Sequence, residues 1–228
     1  MEYKPNVLSA PIEKSITERG VTPQAVWLDK EAALEKGVRR SDAIFRMIGA
    51  RQHFTILDLG CGPGFALAYL EERYGSLSER YCGIDVSEML IEQARKMWPR
   101  HKFVVRSIVA EPLPERAYEF TAINGVLTAK HTLTHDQMEG FAVNLLQAAW
   151  RSTEIAMSFN VMSPYVDWTR DDLFHWPIQR AAAFCISKLS RHINIIADYG
   201  LYEYTVQVFR QPPVPSQIPK AWAEASNP

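Results

Sequence analysis

Cysteine is scarce in this chain, three in 228 residues. Cys61, Cys82 and Cys185 show no C-x-x-C spacing. A disulfide-stapled scaffold is therefore not expected, and reduced thiols in a cytoplasmic compartment are the simplest reading. Net charge is nearly absent, at −1, so no general attraction to nucleic acid or to an anionic membrane is expected. No apolar run approaches the ~20 residues of a membrane span. Met1–Ala10 lacks the apolar core of a secretory signal. Internal repeats are missing as well. Hydrophobic residues at 47% and charged residues at 22% describe a globular chain of one domain plus trimmings. Glycine is sparse, 11 in all, and its placement is the informative part.

Three glycines fall in Ile56-Leu57-Asp58-Leu59-Gly60-Cys61-Gly62-Pro63-Gly64. Apolar residues on both sides of Asp58 predict a strand buried on both faces, as in a parallel sheet. The glycines let the backbone turn sharply and let a ligand approach closely. Pro63 suits the first turn of a following helix, on which Leu67, Leu70 and Tyr74 form an apolar stripe. A second strand, Gly83-Ile84-Asp85-Val86-Ser87, ends in a carboxylate that can accept two hydrogen bonds from ribose hydroxyls. The dinucleotide fingerprint is G-x-G-x-x-G. Here the third glycine comes one position early, which favours a ligand with an amino-acid tail over one with a pyrophosphate.

On these residues the sequence resembles the class I S-adenosylmethionine-dependent methyltransferases. Asp58–Gly64 looks like that family's first motif and Gly83–Leu90 like its second. The resemblance implies S-adenosylmethionine as cofactor and S-adenosylhomocysteine as product. It implies backbone contacts from Gly60, Gly62 and Gly64 to the methionine part, Asp58 on the ammonium and Asp85 on the ribose, with Cys61 and Val86 also among the cofactor-binding residues. After strand three the family often carries an acidic residue near the adenine; this chain has Val105-Arg106-Ser107-Ile108 there, leaving Ser107 and the amide of Ile108. After strand four, Asn124 occupies the position facing the methyl, without the Pro-Pro-aromatic sequel of the exocyclic-amine DNA methyltransferases. Further stretches, Phe159-Asn160 onward, Arg170-Asp171-Asp172, Asp198–Tyr204 and Gly20-Val21-Thr22-Pro23 with Trp27, resemble a small bacterial subgroup of unassigned substrate.

The whole reads as an α/β fold: a doubly wound, Rossmann-like, mostly parallel seven-stranded sheet, with an antiparallel last strand as the resemblance implies. Residues 1–50 form an N-terminal helical cover, 51–210 the cofactor-binding core with an insert loop at 162–177, and 211–228 a proline-rich tail. Pro5, Pro11, Gly20 and Pro23 are expected to break any long element near the N-terminus, leaving at most a short helix around Ile12 and Ile16. A helix over 31–48 carries Leu34, Val38, Phe45 and Ile48 inward, and one after Ser87 carries Leu90, Ala94 and Met97. Ser87 can cap that helix, and Thr134-His135-Asp136-Gln137 fits a capping box. Tyr204, Val206 and Val208 alternate with Glu203, Thr205 and Gln207, as on a sheet edge.

Methyl transfer from a sulfonium releases a neutral thioether, so catalysis is mainly positioning and exclusion of water. A base matters only if the acceptor is a hydroxyl or a protonated amine. His131 and Tyr165 are the catalytic candidates, with His135, His175 and Asp167 behind them. No metal site is expected, since His131 and His135 lack a third ligand. The leading function is methyl transfer to oxygen or nitrogen of a small-molecule acceptor. Two alternatives remain: a catalytically weak S-adenosylmethionine- or S-adenosylhomocysteine-binding regulatory protein, and a dinucleotide-dependent oxidoreductase. No nucleic-acid or membrane partner is expected.

Overall fold

The computed structural model describes residues 6–26 and 33–213. One sheet contains β1 (Ile56–Leu59), β2 (Tyr81–Asp85), β3 (Lys102–Val105), β4 (Tyr118–Leu127), β5 (Thr153–Met162), β6 (His192–Ile196) and β7 (Glu203–Phe209). Their order is β3-β2-β1-β4-β5-β7-β6. β1 to β5 pair in parallel, and β7 runs antiparallel to both of its neighbours. The chain reverses its direction of sheet growth between β1 and β4. That switch point opens a crevice beyond the strand C-termini.

The helices are α1 (Asn6–Arg19), α2 (Pro23–Val26), α3 (Ala33–Phe45), α4 (Phe65–Tyr74), α5 (Glu88–Met97), α6 (His135–Ser152) and α7 (Ile178–Lys188), with a 3-10 turn at Arg46–Ile48 after α3. Successive residues of β1 face opposite sides. Leu57 joins Met138, Leu146, Phe159 and Tyr204 in one cluster, while Ile56 joins Ile44, Leu67, Ile91 and Phe120 in the other. Each fully buried side chain of this size contributes about 1.5–3 kcal/mol. The caps form as the sequence predicts. Ser87 Oγ accepts from the Leu90 amide at 3.2 Å. Thr134 and Gln137 exchange both bonds of the capping box, at 3.2 and 2.9 Å.

Three expectations need correction. First, Pro11 does not break α1; it lies inside a 14-residue helix. The proline forfeits one intrahelical bond, but Ile16 packs with Ala25 and Leu90 and holds the helix until Gly20 ends it, donating to Ile16 O at 2.8 Å. Second, β7 is not an edge. It lies between β5 and β6, and Glu203, Thr205 and Gln207 are all buried. Alternation reports a polar face, and here that face meets polar groups of α3 rather than water. Third, on α3 Leu34 and Val38 are exposed, and the buried row is Gly37, Ser41, Ile44 and Ile48. On α5, Met97 is exposed and Ile91 is buried in its stead. The insert loop divides: Phe174 and Trp176 are fully buried in the core, whereas Tyr165 and Trp168 stand exposed. Trp27 and the tail from 214 lie outside the described residues.

Candidate active site

β1 ends at Leu59, and the next residues wrap over the end of β2. The amides of Gly60 and Cys61 both donate to Ile84 O, at 2.7 and 3.2 Å. This wrap puts Gly60 at φ +74, where a Cβ would fall 2.1 Å from Val126 Cγ2. Only glycine fits there. Gly62 is open, with nothing within 4 Å of a Cβ position. Gly64 differs from the other two. It precedes α4 at φ +84 with its would-be Cβ 2.9 Å from Trp98 and 3.0 Å from Phe103. Gly60, Cys61 and Gly62 line the crevice and Gly64 does not. The expected ligand contact at Gly64 is thus corrected to a packing role, seating α4 against the sheet. Pro63 precedes α4 rather than forming its first turn.

Asp58 and Asp85 stand at the ends of adjacent strands, both buried. Tyr81 Oη donates to Asp58 Oδ2 at 2.7 Å. Burial pushes the Asp58 carboxyl up to about 6, opposed by the Tyr81 bond and reinforced by the charge of Asp85. Asp85 Oδ2 accepts from the Gly62 amide and Oδ1 from the Ser87 amide, each at 2.9 Å. Burial raises its pKa and these amides counter the rise. Cys61 is buried beside both carboxylates, and burial drives its thiol well above the ordinary value. Its sulfur packs and does not react.

The crevice widens into a cavity of about 1050 Å³, lined also by Val86, Ser107, Ile108, Asn124 and His131. Asn124 sits where β4 bulges. Its pairing with β5 slips between Ile123 and Leu127, and Gly125 takes φ +85. The Asn124 Oδ1 is buried with no hydrogen-bond partner. His131 adopts φ 48, held by its amide on Asp172 O at 2.9 Å. Burial lowers its pKa, with Asp172 working against the shift and Arg170 with it. Tyr165 is not brought to this group: it is 67% exposed, accepts from Gln179 at 3.0 Å, and is absent from the cavity lining.

Sequence reasoning missed Arg40. Arg40 lines the cavity, and its Nε donates to Glu203 Oε1 at 2.6 Å. The two residues lie 163 positions apart, and nothing local marks either as a partner. The polar side of the β7 alternation was the one available signal. His135, Asp136 and Glu139 also bring ligand atoms within 4.8 Å of one another. Glu139, however, is committed to Trp176 Nε1 at 3.0 Å and Arg180 at 2.8 Å, and His135 turns its Nε2 to His175 O at 3.2 Å.

Residues 56–149 match the family model of the methyltransferase domain. A Mycobacterium tuberculosis protein assigned to the methyltransferases is 26% identical over 72% of this chain and 97% of its own length. The malonyl-[acyl-carrier protein] O-methyltransferase of Salmonella typhimurium is 27% identical over 50% of this chain and 43% of its own length. Among solved structures, the 1,6-didemethyltoxoflavin-N1-methyltransferase of Burkholderia thailandensis superposes with a TM-score of 0.58 at 18% identity, covering 92% of this chain and 91% of that one. No helix among the described residues is long and apolar enough to cross a membrane. Domain match, glycine turn and strand order agree: residues 56–149 carry a methyltransferase domain, set in the Rossmann-like sheet of S-adenosylmethionine-dependent methyltransferases.

Proposed function

We propose that this enzyme transfers a methyl group to an oxygen or nitrogen atom of a small-molecule acceptor bound in the cavity beyond β1 and β4. The observation that carries the reading is the cavity itself. It is lined at one end by a glycine turn and a strand-end carboxylate, and at the other by Asn124 and His131. S-adenosylmethionine supplies the methyl as an activated sulfonium. Asp85 accepts from the ribose hydroxyls with the lone pairs its two amides leave free. Asp58 receives the ammonium and Arg40 the carboxylate of the amino-acid tail. Ser107 and the amide of Ile108 border the adenine, and Val86 lines the same cavity. From the described part of the N-terminal segment, Val7, Leu8, Ser9, Ile12 and Arg40 border the cavity.

His131 takes the acceptor's proton where the acceptor needs it removed. Its lowered pKa keeps the imidazole neutral near pH 7, the form that acts as a base. The relatives divide on acceptor atom, one being named for oxygen and one for nitrogen, so the comparisons favour a heteroatom without choosing one.

The test is calorimetric titration with S-adenosylhomocysteine, with NAD in parallel, followed by an acceptor screen read by S-adenosylhomocysteine release. Micromolar binding of the nucleoside thioether alone, with turnover on a screened acceptor, supports the proposal. Binding of NAD alone overturns it. Tight cofactor binding with no turnover on hydroxyl, amine or carboxylate acceptors moves the reading to a regulatory protein.

A further inference from the structure

We infer that Glu203 and Asn160 are positioning residues that aim Arg40 at the carboxylate of the cofactor's amino-acid tail, an inference that rests on the cofactor reading above. Glu203 is 3% exposed and Asn160 is fully buried. A carboxylate so deep in a sheet is tolerated only when its oxygens are bonded. Here each oxygen has one partner. Oε1 accepts from Arg40 Nε at 2.6 Å and Oε2 from Asn160 Nδ2 at 2.9 Å. The remaining end of Asn160, its Oδ1, accepts from the Gly125 amide at 2.7 Å. Gly125 belongs to the β4 bulge, where the ladder to β5 is broken. The chain thus runs from α3 through β7 and β5 to β4, and both of its ends line the cavity.

The geometry at Arg40 is specific. A guanidinium is a rigid fork with five donors. Glu203 engages it through Nε alone, and among the described residues no other side-chain hydrogen bond of Arg40 is formed. The two terminal nitrogens are left for an incoming anion, and their plane is fixed by the bond behind them. A second strut holds the helix that carries Arg40: Gln207 Nε2 donates to Ala43 O at 3.0 Å. Glu203 and Gln207 lie on the same face of β7, so α3 is registered to the sheet at two points. Glu203 therefore acts through Arg40, and Asn160 ties that arrangement to the strand end beside Asn124.

The test uses two ligands and two variants of the full chain. S-adenosylhomocysteine carries the amino-acid tail; 5′-methylthioadenosine keeps the nucleoside and the thioether without it. Glu203→Gln should lose about tenfold or more in affinity for S-adenosylhomocysteine, as for a misaligned charged hydrogen bond, and keep its affinity for 5′-methylthioadenosine within about twofold. Arg40→Lys, which keeps the charge and removes the fork, should show the same pattern and stands in if Glu203→Gln fails to fold. Unchanged binding of S-adenosylhomocysteine overturns the inference. An equal loss on both ligands also overturns it, since that is what general loosening of the sheet would give. If the unaltered protein does not bind S-adenosylhomocysteine at all, the cofactor reading falls first and this inference with it.

Discussion

Tyr81 and Asp58 form a buried pair on adjacent strands, the hydroxyl donating to Oδ2 at 2.7 Å. The pair settles how the carboxylate behaves. Desolvation disfavours the ionised form, and one phenol does not compensate fully, so Asp58 titrates at about 6.

The first prediction follows from that value. A carboxyl whose pKa is higher folded than unfolded contributes stability at acid pH, lost as pH rises through the folded value. For Asp58 the loss runs from about pH 4 to pH 6. Asp58→Asn keeps an acceptor for Tyr81 and removes the charge. It should stabilise the ligand-free protein above pH 6 by up to about 3 kcal/mol, with little effect below pH 4. Affinity for S-adenosylhomocysteine should do the reverse in the parent, rising from about pH 5 to pH 7 as the carboxylate forms, and the variant should flatten that rise. Thermal melts and titrations over this range check both.

Asp85→Ala should weaken S-adenosylhomocysteine binding by about 1–3 kcal/mol. The side chain also holds the amides of Gly62 and Ser87, so a modest drop in melting temperature should accompany the loss. An unchanged affinity by calorimetry removes Asp85 from the ribose.

Gly60 and Gly62 should respond differently to alanine. At Gly60 the new Cβ meets Val126 at 2.1 Å, adding overpacking of about 1–3 kcal/mol to a left-handed penalty of about 1–2 kcal/mol. At Gly62 only the penalty applies. Adding Val126→Ala to Gly60→Ala should recover part of the stability, because the clash is with Val126 Cγ2. Chemical denaturation of the three variants separates the contributions.

His131→Asn should lower kcat by about 10²-fold or more on an acceptor that must lose a proton, and the pH–rate profile should lose its acidic limb. Tyr165→Phe should leave kcat unchanged, since that phenol is bonded to Gln179 outside the cavity. A fall in kcat for Tyr165→Phe would mean that the insert loop closes over the acceptor.

The strands, both helix caps and the glycine turn with its neighbouring strand-end carboxylate were legible because each is written locally. Gly60 and Asp85 sit at the ends of apolar runs, and Thr134 with Gln137 is a local exchange. What failed to show was set by distant neighbours. The alternation in β7 is the same whether water or α3 covers its polar face, so an interior strand read as an edge. Pro11 looked like a breaker because the packing of Ile16 with Leu90 spans the fold. Arg40 was invisible for the same reason: a surface helix full of charges gives no hint which one has a buried partner. Tyr165 was chosen by residue type, and loop aromatics carry no periodicity to say which way they face.

The insertion of β7 between β5 and β6 imposes an order of assembly. β6 is made first, yet it has no place on the sheet until β7 has paired with β5, since the described ladder joins β6 to β7 alone. Chain emerging from the ribosome must therefore hold β1 to β5 before the strand carrying Glu203 can close the other side. Such long-range closure is slow relative to local contacts. Until it happens, Arg40 faces the cavity without its counter-ion, and a nascent chain should gain its grip on the amino-acid tail only as its last strand zips in.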